Sequence, residues 1–384
     1  MLPTVPTIPG SSRLVPSSSP NGLGDIPFLY IISNLTDKIL IMSKKKMRKK
    51  RKIIIWVVLI VFLIFVFESF LLMLRYNRIN KFNPEKVGVS FSQIQAERFG
   101  YDWKEAYSEM LKDLNFKHVR IPAYWNRIEK EPGNFDFSDT DWMIEEAAKH
   151  NVKVTLVVGQ KNIRYPECFY PDWVDTNNTQ QTSDQATRMI TSVVEHYKNN
   201  QTIEAWQLEN EFLLKSFGKC PAALLTNQQL EKELNALKSV DNTRPVILTQ
   251  SDQFGFPMRG PFANTFGFSM YRWSWNKTLG YYRYPQTGEY FWWKAALINL
   301  VHKQEVKIHE LQAEAWGPVG NEHMDYNESL KSMNPEQFRA NIQYARDTRI
   351  RNYDLWGAEW WWYMKKQGYP DMWEEVKAFV AESK

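Results

Sequence analysis

The sequence predicts an α/β fold, a (β/α)8 barrel preceded by one N-terminal transmembrane helix, and three observations predict it. From Val87 onward, short strand-like apolar runs alternate with segments of helical period, and eight such strands can be drawn. Two of the strands, within 203–211 and 306–314, place polar residues at alternate positions and lead to a glutamate, Glu211 and Glu314. Upstream of them all lies a continuous apolar run at 53–74. Barrels of this class occupy about 250 residues or more as one unit, and residues 86–384 accommodate that size.

Residues 1–41 are rich in Pro, Ser and Gly and lack a sustained amphipathic period before IPFLYII (26–32), so a disordered or weakly structured tail is expected. Initiation at Met42 would open the chain with MSKKKMRKKRK, so the tail is expected either as a cytoplasmic extension or as a stretch outside the native protein. Residues 42–52 form a basic cytoplasmic segment. The run 53–74, with Glu68 as its only charge, is long enough to cross a hydrocarbon core of roughly 30 Å at about 1.5 Å per residue. Basic residues on its N-terminal side predict a cytoplasmic N-terminus and an extracytoplasmic remainder. The following RYNRINKF (75–82) offers no small-residue cleavage site, which favours an uncleaved anchor over a signal peptide. Residues 75–85 read as a linker.

The formal charge of +5 includes eight basic residues between Lys44 and Lys52, and without them it is −3. The folded part is therefore near neutral to mildly acidic, which argues against nucleic acid as a partner. Strands are expected near 87–91, 117–121, 152–158, 203–209, 245–249, 265–271, 307–313 and 353–358. WKEAYSEMLKDL (103–114), TDWMIEEAAKH (140–150) and TRMITSVVEHYKNN (187–200) carry apolar residues at helical spacing. No internal repeat, Gly-rich phosphate loop or zinc-spaced Cys/His cluster occurs in the sequence.

Along 203–211, Gln207, Glu209 and Glu211 share one parity and Trp206 and Leu208 the other; along 308–314, Glu310, Gln312 and Glu314 oppose Leu311 and Ala313. Such strands pack their apolar parity on helices and carry a carboxylate to the barrel rim. Two carboxylates on a rigid frame suit glycosidic bond cleavage, in which one acid protonates the leaving oxygen and the other attacks the anomeric carbon or activates water. The Asn-Glu dipeptide alone carries no signal, since it recurs at Asn321-Glu322 and Asn327-Glu328. Aromatic residues make up 15% of the chain, with 16 Trp, and cluster in predicted loops and strand ends, which favours sugar stacking over core packing for the group as a whole. The two cysteines, Cys168 and Cys220, fall in the loops after the third and fourth strands. Neighbouring strands bring such loops together, so a disulfide is expected, with two unrelated buried thiols as the alternative.

The segments HVRIPAYWNRIE (118–129), WQLENE (206–211), FGFSMYRW (266–273), ELQAEAWG (310–317) and LWGAEWWWY (355–363) resemble the motif strands of glycoside hydrolase clan A, and specifically a cellulase-type family. The resemblance implies Glu211 as acid/base and Glu314 as nucleophile of a retaining hydrolase, with Arg120 and Tyr271 supporting the nucleophile and Asn210 on the substrate 2-hydroxyl. It implies Trp361 as substrate platform, with Trp360 the alternative, and Trp125 near the sugar. Gln160 and Trp316 complete the expected substrate contacts. Two positions depart from the cellulase pattern: Val158, Gly159 and Gln160 stand where a His is common after the third strand, and Ser269 replaces the His two before Tyr271. GQKNIRYPECFYPDW (159–173) and FGKCP (217–221) look like a little-characterised group within the clan. A polysaccharide or oligosaccharide substrate follows, with no metal or organic cofactor required. A transglycosylase on the same site and a catalytically inactive glycan-binding protein are the rival readings.

Overall fold

The computed structural model describes residues 27–80, 83–250 and 260–383, and the chain divides into two compact units, Met1–Phe67 and Glu68–Lys384. One helix, α1 (Pro27–Asn80), makes up the described part of the first unit and opens the second. This corrects two expectations. Residues 27–41 are helical rather than irregular, and the expected linker at 75–85 is helical through Asn80; the remainder of the expected tail lies outside the described residues. The cause is the absence of any Gly or Pro between Phe28 and Asn83, together with the high helix propensity of Leu, Lys, Arg and Met. Within Lys44–Asn80 this helix is long and apolar enough to cross a membrane. Its Ile55 and Trp56 are 65% and 63% exposed, a large apolar surface suited to lipid.

The second unit is a closed barrel of eight parallel strands: β1 (Lys86–Ser90), β2 (His118–Pro122), β3 (Lys153–Val158), β4 (Ile203–Leu208), β5 (Val246–Gln250), β6 (Thr265–Met270), β9 (Glu305–Gln312) and β10 (Asn352–Trp356). All eight coincide with the predicted strands to within about three residues. A separate antiparallel hairpin, β7 (Trp273–Asn276) and β8 (Gly280–Arg283), follows β6. Helices between successive strands place their apolar faces on the barrel. Trp103–Leu114, capped by Asp102, buries Ala106, Tyr107, Met110, Leu111 and Leu114 at the 3–4 residue spacing of one helix face. Pro335–Asp347 starts with the Asn334 side chain accepting from Gln337 N and with Pro at its first position, where a missing N–H costs nothing.

Two irregularities shape the interior. Between shared register points, β9 advances from Ile308 to Glu310 while β6 advances only from Phe268 to Ser269, and β10 shows the same offset. This one-residue bulge at His309 breaks strict alternation, so the consecutive side chains of His309 and Glu310 both reach polar groups inside the barrel. At the end of β10, Gly357 adopts φ +149, where an added Cβ would stand 2.9 Å from both Glu314 Cβ and Trp361 Nε1. There the chain leaves the strand and enters the helix Ala358–Lys366.

Candidate active site

A cleft of about 500 Å³ lies at the C-terminal ends of the strands, lined by Asn210 and Glu211 after β4, Tyr271 after β6, Glu310 on β9, Glu314 and Trp316 beyond it, and Trp356 closing β10. The loops after β3 and β4 supply further walls through Arg164, Glu167 and Phe217, and the bond Cys168–Cys220 ties these two loops together.

The turn that carries Glu211 is unusual backbone. Glu209 and Glu211 both adopt the left-handed region, at φ 59 and 47, a conformation that disfavours non-glycine residues. Side chains and backbone hold it in place. The Glu209 carboxylate accepts from the backbone N–H groups of Gln160 (2.9 Å) and Lys161 (2.6 Å), Glu211 N donates to Thr249 Oγ1 (2.8 Å), and Lys161 Nζ donates to the Glu211 carbonyl (2.8 Å). Gly159 is required there, because a Cβ at its φ of +140 would meet the Glu209 carboxyl at 2.3 Å. The Glu211 carboxyl is 4% exposed and accepts from the Ser269 hydroxyl. Burial, followed by repulsion from Glu310 and Glu167, pushes its pKa up to about 8.

Glu310 has different neighbours. Arg120 Nη2 donates to its Oε1 (3.1 Å) and the Tyr271 hydroxyl to its Oε2 (2.6 Å). Arg120 is itself fixed by the His309 carbonyl (2.9 Å) and Asn210 Oδ1 (2.7 Å). The expectation that Arg120 and Tyr271 support Glu314 is therefore corrected: both lie on Glu310, because Ser269 pairs with Glu310 across β6 and β9 and the bulge turns that side chain inward. One oxygen of Glu211 and one of Glu310 lie within 4.8 Å of each other, with His309 Nε2 between them at 3.7 and 3.6 Å. Burial and the cations Arg120 and Lys307 hold His309 well below the usual histidine range, so it is neutral. These three donors are close enough to grip a cation, yet their oxygens already accept from Arg120, Tyr271 and Ser269.

Glu314 sits past the strand end in a separate network. Its Oε1 accepts from Arg164 Nη1 (2.6 Å) and Trp356 Nε1 (2.8 Å), and Arg164 Nη2 reaches Glu359 (2.5 Å). The other expected contacts divide. Asn210, Tyr271 and Trp316 line the cleft. Trp361 and Trp360 do not: the turn at Gly357 places both on a helix, where they are buried in the core and Trp361 donates to the Ala313 carbonyl (2.7 Å). The cleft aromatic on this side is instead Trp356, the last strand residue. Trp125 is buried beside Glu129 (2.8 Å) and Gln160 lies between Tyr170 (2.8 Å) and Glu233 (3.3 Å), so neither lines the cleft. Glu310 was visible in the sequence as a member of the Glu310–Gln312–Glu314 parity; Arg164, in an irregular loop, gave no signal.

Residues 83–360 match the family model described as Cellulase (glycosyl hydrolase family 5). Among solved structures, a GH5_18 enzyme variant from Bifidobacterium longum subsp. longum, in complex with Manβ1-4GlcNAc, is 14% identical with TM-score 0.55, over 78% of each chain. A GH5_18 enzyme from Streptomyces cattleya in complex with GlcNAc is 12% identical with TM-score 0.51, over 71% of this chain and 70% of that one. An exo-beta-1,4-mannosidase from Opitutaceae bacterium strain TAV5 is 13% identical with TM-score 0.51, over 78% and 59%. The search of curated sequences found no match. These likenesses share the barrel, and the family match covers most of the chain: the protein belongs to glycosyl hydrolase family 5 and is a glycosidase.

Proposed function

We propose that the chain is a retaining glycoside hydrolase in which Glu310 is the nucleophile and Glu211 the acid/base, acting on an extracytoplasmic glycan. One observation carries this reading: two buried carboxyl groups with oxygens within 4.8 Å, one held by a guanidinium and a phenol and the other protonated near neutral pH. Retaining enzymes hold their carboxyl groups about 5–5.5 Å apart, too close for an intervening water. In the first step Glu310 attacks the anomeric carbon as the glycosidic C–O bond breaks, and Glu211 gives its proton to the leaving oxygen. The glycosyl ester formed on Glu310 carries no charge there. Repulsion on Glu211 falls, its pKa drops, and it can take a proton from the water that attacks the anomeric carbon and releases Glu310. The Asn210 carbonyl oxygen is occupied by Arg120 and Gln207, which leaves its amide N–H groups for a substrate hydroxyl.

A 2-deoxy-2-fluoro glycosyl donor with a good leaving group traps such an intermediate. Peptide mapping should find the label on Glu310; label on Glu314 would overturn the assignment, and inverted product would overturn retention. The pH dependence follows from the protonation of Glu211. Its acid form is required and its pKa is raised to about 8, so kcat/KM on substrates with poor leaving groups should fall as pH rises through about 8. A profile flat to pH 10 would contradict the role.

The location rests on the basic run from Lys44 to Lys52 directly before the apolar segment, which favours a cytoplasmic N-terminus. The Cys168–Cys220 bond suits an oxidising compartment. Protease added to intact cells or spheroplasts should degrade the barrel, and protection until the membrane is breached would refute this orientation.

A further inference from the structure

We infer that Glu314 is a specificity residue that accepts a hydrogen bond from a hydroxyl of the sugar ring attacked by Glu310; this rests on the retaining reading above. Its carboxylate is pinned. Oε1 takes both Arg164 Nη1 (2.6 Å) and Trp356 Nε1 (2.8 Å), and Arg164 is in turn held by Glu359, whose other oxygen accepts from Ser92 N (2.5 Å). The guanidinium also stacks over the Trp356 ring at 4.0 Å. Glu314 is 3% exposed and its Oε2 is buried with no donor, while Arg164 Nε, in the same ion pair, has no acceptor. Both residues line the cleft. A fixed carboxylate oxygen without a partner is costly to leave dry, so the site is complete only when an occupant brings a donor.

The chemistry of that donor is constrained. An ammonium offers donors only, whereas a ring bearing hydroxyls offers a donor for Glu314 Oε2 and an acceptor for Arg164 Nε. The position is constrained as well. Glu314 lines the same cleft as Glu211, Glu310 and the Tyr271 that donates to Glu310, so it belongs to the wall around the ring undergoing reaction. Trp356, with its N–H committed to Glu314, forms the adjoining wall.

The test uses the full chain in detergent with 4-nitrophenyl β-D-glycosides of gluco, manno and galacto configuration, followed by the 3-, 4- and 6-deoxy forms of whichever is hydrolysed. One deoxygenation should cost the wild-type protein about 10- to 100-fold in kcat/KM, the size expected for a hydrogen bond to a charged group. Glu314→Gln, which turns an N–H2 toward the cleft, should lose a similar factor on the parent sugar and reduce that one deoxy penalty to within about 2-fold. Equal penalties in both proteins at every position would overturn the inference. Should thermal unfolding show Glu314→Gln to be misfolded, Trp356→Phe removes one of the two donors that orient the carboxylate and should shrink the same penalty; an unchanged penalty refutes the role. The retaining reading is judged separately, by whether the fluoro-sugar label reaches Glu310 in wild type and Glu314→Gln alike.

Discussion

Glu310→Gln is expected to lower kcat/KM by about four to six orders of magnitude, the scale seen when a nucleophile acting in a coupled cycle is removed. The amide keeps the shape of the side chain but cannot form the glycosyl ester. Arg120 would then face a neutral group, so a modest loss of thermal stability should accompany the loss of rate, measured on the same sample. Comparison with Glu314→Gln separates the two glutamates: a loss of 10- to 100-fold is expected there, confined to transition-state binding. If the two losses were reversed in size, the nucleophile would be Glu314 and the contacts of Arg120 and Tyr271 would need another explanation.

The second large effect is at Glu211. Glu211→Ala removes the proton donor of the first step and the base of the second, so glycosides with poor leaving groups should lose about four orders of magnitude or more. Dinitrophenyl glycosides need no protonation to depart. On these the first step should survive, the glycosyl ester on Glu310 should accumulate, and a burst of dinitrophenol should precede a slow steady state. Azide, which needs no base to attack, should accelerate the steady state and yield a β-glycosyl azide from a β-glycoside. Absence of both burst and azide product in a folded variant would remove Glu211 from the acid/base role.

Most of the barrel was legible because its signal is local. Each strand is short, apolar and bounded by polar turns, and helix 103–114 matches its predicted limits residue for residue. The hairpin β7–β8 was not read, since two four-residue strands carrying Trp, Tyr and Ser do not separate from an aromatic loop. The site was legible only where backbone stays regular. Arg120, on a strand that keeps alternation, was placed by its resemblance to a second-strand arginine, and it lies buried in the site, on Glu310 rather than Glu314. Glu314 was taken for the rim carboxylate because counting by twos from Leu311 and Ala313 is sound within that stretch; the bulge that gives Glu310 its partners comes from strand pairing, which a single chain does not display. Trp361 was misplaced for a related reason, because Gly357 ends the strand through a dihedral angle that the letter G permits but does not announce.

The bulge at His309 also bears on how this region can change over generations. Upstream of it β9 is in phase with one set of alternate positions, and downstream with the other, so the strand is two half-repeats joined by a one-residue insertion. A gene that lost this codon would restore perfect alternation and still encode a continuous strand of the same apolar character. It would leave Ile308 and Glu310 on their present faces and remove His309, whose ring nitrogen lies 3.7 and 3.6 Å from the Glu211 and Glu310 carboxyl groups. A homologous sequence that lacks the extra residue, aligned here without a gap, would set its counterpart of Glu310 against His309.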